Sequence, residues 1–127
     1  MSSEITVTAA LSYVNVPQNI AQVQLAITPP GIFTITGRKF AQGTFNVPTT
    51  AGGTAIPIGS LPTLGWAFIK NNDATNYVEI LSAVSGTTFI RLQPGEACVF
   101  KFAPSITAPA ALAHTLASDI EYLFLEI

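Results

Sequence analysis

Few residues in this chain could do chemistry. His114 is its single histidine, and Ser118 and Asp119 follow closely enough to invite a Ser–His–Asp reading. Such a triad needs nucleophile, base and orienting carboxylate in line, with an oxyanion donor opposite. Neighbours on one short segment cannot supply that line, and no oxyanion loop is visible, so His114 reads as a packed or surface side chain. A zinc or iron site needs three or four convergent ligands. One His, one Cys and scattered carboxylates give no recognised spacing, so no metal is expected. Cys98, among Ala97, Val99 and Phe100, reads as a small buried hydrophobe rather than a reactive thiol. Ala51-Gly52-Gly53-Thr54 lacks the Gly-Lys-Ser/Thr of a phosphate loop and reads as turn glycine. No catalytic residue, cofactor-binding residue or metal ligand is assigned. The chain is expected not to be an enzyme and to need no cofactor.

Two further groups could bind rather than react. Trp66, Phe68 and Tyr77 could form an aromatic sugar platform, but aromatics sharing a strand face commonly belong to a core. Leu64, Trp66 and Phe68 share such a face, so Trp66 is expected between the sheets. Glu79 and Arg91 fall on strands that could be neighbours. They are either a cross-strand ion pair or two unrelated solvent-facing charges.

The elements that must position these residues are all strands. Glu4–Tyr13 alternates apolar and polar residues, as does Ile20–Ile27, and a period of two marks half-buried strands. Pro29-Pro30-Gly31 is a turn before a strand over Ile32–Thr36, and Gly37 punctuates before Arg38–Asn46. Pro48 to Gly65 reads as a long loop with a short strand at Thr54–Ile58. Asn71–Asn76 is a turn, since Asn and Asp tolerate left-handed geometry and bond their own backbone. It predicts a hairpin between the Trp66 strand and Tyr77–Leu81. Gln93-Pro94-Gly95-Glu96 predicts a type II turn, with Pro presetting φ and Gly supplying positive φ. Ala97–Phe102 then places Cys98, Phe100 and Phe102 on one face. Ala108–Ser118 is readable as helix or strand, and strand is preferred. Ile120–Leu125 is a strand expected to be buried on both faces. Some eight to ten strands predict an all-β chain: a single-domain antiparallel β-sandwich over 1–127, jelly-roll-like.

Composition narrows the function classes. The chain has 127 residues, 49% hydrophobic but only 9% charged, with net charge −2. Ordinary soluble domains carry roughly 25% charge, so this surface resists association poorly and favours life in an assembly. The longest basic run is Arg38-Lys39, which disfavours nucleic-acid and polybasic membrane binding. The charge-free stretches contain Pro, Gly, Asn and Gln, so no transmembrane helix is expected. Met1–Thr8 lacks the basic and apolar regions of a signal peptide. A lone cysteine excludes an intrachain disulfide framework and fits synthesis in a reducing cytosol.

Three blocks carry a resemblance: Gly65-Trp66-Ala67-Phe68-Ile69-Lys70-Asn71-Asn72-Asp73-Ala74-Thr75-Asn76-Tyr77-Val78-Glu79-Ile80, Phe89-Ile90-Arg91-Leu92-Gln93-Pro94-Gly95-Glu96, and Ile120-Glu121-Tyr122-Leu123-Phe124-Leu125-Glu126. Their succession, covering Gly65–Ile127, resembles small β-sandwich virion proteins of tailed bacteriophages that cement or decorate the capsid. The resemblance implies a jelly-roll-like subunit forming small symmetric clusters, dimers or trimers, on the major capsid protein. It would be made in the host cytoplasm and located on the virion surface. A tail or head–tail connector component, or a carbohydrate- or receptor-binding module, are the alternatives.

Charge distribution locates the expected interface. Residues 1–69 contain only Glu4, Arg38 and Lys39 as charged residues. Charge depletion marks interface cores, and long loops in small domains are commonly functional. The partner surface is therefore expected to include Ile56, Ile58 and Leu61 of the loop over 47–65; the alternative is that this loop folds back over one end of its own sandwich. Arg38 and Lys39 would set register at its rim.

Overall fold

The computed structural model describes residues 3–7, 10–13, 23–26, 31–35 and 39–126. All elements among them are strands. The chain divides into two compact units, 1–36 and 37–127.

In the first unit, β1 (Ser3–Val7) pairs antiparallel with β4 (Gly31–Ile35), and β2 (Ala10–Tyr13) with β3 (Val23–Ala26). The alternating run Glu4–Tyr13 is thus two strands, because its halves take different partners.

The second unit holds β5 (Phe40–Val47), β6 (Thr54–Ala55), β7 (Trp66–Asn71), β8 (Val78–Leu81), β9 (Thr88–Leu92), β10 (Ala97–Lys101), β11 (Ala110–Ala113) and β12 (Ser118–Leu125). They form two four-stranded sheets, β10-β7-β12-β5 and β6-β11-β8-β9, antiparallel throughout. Counted within this unit, the orders are 6-3-8-1 and 2-7-4-5. That interleaving of first-half and second-half strands is the jelly-roll arrangement. The preferred strand in Ala108–Ser118 is present as β11, and the short strand of the long loop is reduced to β6.

The core lies between the sheets. Ile69, Ile120 and Phe124 face inward from the first, Val78, Ile80 and Ala111 from the second. Phe100, Phe102 and Phe124 meet edge to face, at centroid separations of 4.8 and 5.2 Å. Cys98, Phe100 and Phe102 share the inward face as expected, and burial raises the Cys98 thiol pKa. The type II turn also forms: Glu96 N donates to Gln93 O at 3.0 Å, with Gly95 at φ 80°.

Three expectations about strand faces and connections are corrected. Trp66 is half-buried on the outer face, as is Phe68, while Ala67, Ile69 and Asn71 point inward. Both faces of β7 are apolar, so alternation alone could not choose between them. The register sets small Ala67 beside Phe124 and Ile69 beside Tyr122. For the same reason β12 is not buried on both faces: Leu123 and Leu125 lie half-buried outside. The segment after Asn71 is not a hairpin, because β7 and β8 belong to different sheets. It crosses the sandwich end, braced by Asp73 Oδ1, which accepts from the backbone N–H groups of Thr75 (2.7 Å) and Asn76 (2.6 Å).

The long loop folds onto its own sandwich. Ile56 N donates to Pro109 O at 3.0 Å and Gly65 N to Leu125 O at 2.7 Å. Ile56 and Leu61 are consequently buried in the core, and Ile58 packs against it. The expectation that Ile56 and Leu61 are free for a partner is therefore corrected.

Candidate functional site

Of the residues singled out for an interface, Lys39, Ile58 and Leu61 come together. They border one open groove of about 620 Å³, with Phe40, Gln42 and Tyr122. Tyr122 closes its floor, its hydroxyl donating to Pro57 O at 2.7 Å. Ile56 lies beneath, outside the groove lining, and Arg38 falls outside the described residues.

The groove runs beside β5, an edge strand of its sheet. Across the outer face of that sheet, register aligns apolar side chains. Val99 sits beside Phe68, Phe68 beside Leu123, and Leu125 beside Phe40. With Trp66 they make one continuous band. Val99 is 52% exposed and Phe40 63%, while Trp66, Phe68, Leu123 and Leu125 are half-buried among them. Lys101 stands beside Trp66, and the next row is Lys70 beside Glu121. The signal for this band was present in the sequence, as apolar residues on both alternations of β7 and β12. Reading both as core hid it.

The charged residues of the second sheet form a closed cluster. Glu79 and Arg91 are cross-strand neighbours, with Nη2 donating to Oε1 at 3.0 Å. The Thr88 hydroxyl donates to the other carboxylate oxygen at 2.7 Å. The Tyr77 ring touches both Arg91, 4.3 Å from its ring centre, and His114, stacked at 4.5 Å. His114 Nε2 lies 3.1 Å from Glu79 Oε1, but off the line a ring N–H needs, so it makes no hydrogen bond there. The Glu79 side chain is 12% exposed. Its carboxyl is held below the ordinary 4.5, chiefly by the Thr88 hydroxyl, aided by Arg91 and His114 and opposed by burial. Thr88 and Arg91 hydrogen-bond both carboxylate oxygens, an arrangement that ties β8 to β9.

The structure does not bring the other sequence-derived groups together. Ser118 is buried and donates to Leu116 O at 3.2 Å, while Asp119 accepts from Asn46 Nδ2 at 2.7 Å. Neither bonds to His114. Tyr77 belongs with the second sheet, and Trp66 and Phe68 with the outer face of the first, so the three share no platform. Among the described residues no three His, Cys, Asp or Glu side chains converge as a metal would require.

No family model matches the chain, and no curated protein and no solved structure matches it.

Proposed function

We propose that this chain is a structural virion protein of a tailed bacteriophage, a cement or decoration subunit that binds and stabilises the major capsid protein shell. The observation carrying this reading is the apolar band of Phe40, Trp66, Phe68, Val99, Leu123 and Leu125. It is sheet-borne and poor in charge, on a jelly-roll frame. Contiguous exposed apolar surface of this kind marks association sites. Charge depletion with aromatic enrichment is the compositional signature of an interface core. Lys70, Lys101 and Glu121 then form a rim that orients the contact.

The test is quantitative mass spectrometry of purified virions of the phage that encodes the chain. The chain is expected in fixed stoichiometry with the major capsid protein. Its absence from virions overturns the reading. A few copies per particle moves it to the tail or connector.

A further inference from the structure

Sheet edges invite pairing, and proteins blunt them with charge, proline, bulges or shortness. The second unit has four edge strands. β6 has two residues, β9 carries Arg91 and β10 carries Lys101. β5 has eight residues, Phe-Ala-Gln-Gly-Thr-Phe-Asn-Val, with no charge and no proline. It is the one long, undefended edge among the described strands.

Its hydrogen bonding can be assigned. Glu126 N donates to Lys39 O at 2.9 Å, and on the far side of β12 Gly65 N donates to Leu125 O at 2.7 Å. Antiparallel ladders alternate. With Leu125 beside Phe40, residues 41, 43, 45 and 47 bond to β12. Phe40, Gln42, Thr44 and Asn46 direct N–H and C=O to the open side.

We infer that this edge is a self-association interface, in which two copies of the chain pair β5 with β5 antiparallel about a two-fold axis at Gly43. The inference rests on the reading of the chain as an assembly subunit and names its contact. The register follows from the strand itself. Centred on Gly43, Phe40 opposes the partner's Asn46 and Gln42 opposes the partner's Thr44. Every opposed pair among the open residues is then a hydrogen-bonding pair, and no like charges face each other. Gly43 meets itself where the backbones come closest, with no side chain between them. On the inward side the partner's Phe45 comes opposite Ala41, beside the groove bordered by Phe40, Ile58, Leu61 and Tyr122. Phe45 is only partly buried in one copy, so the groove receives an apolar ring that needs cover. Such a contact is isologous and closes at two copies, giving one eight-stranded sheet with the apolar outer bands side by side.

The test is sedimentation equilibrium of the full chain with Thr44→Pro. The Thr44 N–H faces the open side, so proline there spares the β12 ladder, as on natural edge strands. Wild type is expected at dimer mass and Thr44→Pro at half that mass, with unchanged circular dichroism. A folded Thr44→Pro that keeps the dimer mass overturns the inference, as does a wild type that stays monomeric up to millimolar concentration. A second variant, Gly43→Cys with Cys98→Ser, is expected to form a covalent dimer on mild oxidation, since opposed residues at the axis lie within disulfide range. Failure to cross-link overturns the register, and this variant decides the matter if Thr44→Pro does not fold. A monomer that still attaches to capsids ends the edge inference alone. A β5 dimer absent from virions ends the assembly reading alone.

Discussion

The side-chain amide of Asn71, at the end of a strand in one sheet, donates to the carbonyl of Leu92, at the end of a strand in the other, at 3.1 Å. The same NH₂ donates to Asn76 O at 2.8 Å, and Oδ1 accepts from Asp73 N at 2.9 Å. The backbone of Asn71 closes the set, donating to Glu96 O and accepting from Gly95 N. One fully buried residue (0% exposed) therefore ties β7, the crossing loop and the β9–β10 turn.

Replacing Asn71 with Leu removes three side-chain bonds, to the Leu92 and Asn76 carbonyls and the Asp73 N–H. Each buried polar group left unpaired costs about 1–3 kcal/mol. The variant is expected to lose at least that much in urea unfolding. It should also lose amide-exchange protection first in the segment over 72–77.

Glu79 makes stability depend on pH. Its folded pKa lies below the ordinary 4.5, so its contribution is complete above that value and disappears as pH falls through the folded pKa. The urea midpoint is expected to fall with acidification below 4.5, and less so in Glu79→Gln. Some dependence should survive in that variant. Asp73 is also held low, chiefly by the Thr75 and Asn76 N–H groups.

Two glycines should respond differently to alanine. Gly95, at φ 80°, has open space where a Cβ would go, so Gly95→Ala carries left-handed strain alone, about 1–2 kcal/mol. Gly53, at φ 84°, would also press a Cβ to 3.2 Å from the Ala111 carbonyl oxygen. Gly53→Ala is expected to be the more destabilising in parallel thermal melts.

Core and surface aromatics should separate cleanly. Phe124 is fully buried against Phe102, so Phe124→Ala should cost about 3–5 kcal/mol. Trp66→Ala should cost less in stability. Phe68→Ser with Val99→Lys should leave the melt close to wild type yet abolish capsid attachment in a co-sedimentation assay.

Local chemistry was legible in the sequence. The turn Gln93–Glu96 and the inward triplet Cys98, Phe100 and Phe102 depend on neighbours in the chain. Long-range pairing was not. β7 is apolar on both alternations, so only its register with β12 shows that Trp66 faces out. Asn71–Asn76 has the same composition whether it closes a hairpin or crosses between sheets. For the site, charge depletion pointed to the loop over 47–65, of which Ile58 borders the groove while Leu61 belongs mainly to the core. The loop's fold-back buries Ile56, and Phe40 gains importance only because β5 lies at an edge.

The placement of β12 also governs the order of events in synthesis. It sits between β5 and β7, yet all of β6 to β11 is made before it. A ribosome adds about 5–20 residues per second, so a nascent β5 waits for seconds with both flanks unsatisfied. Such distant pairing is slow to form even in the finished chain. Within the cell, the interval before β12 emerges is the time at which this protein is most exposed to miscapture by its own copies.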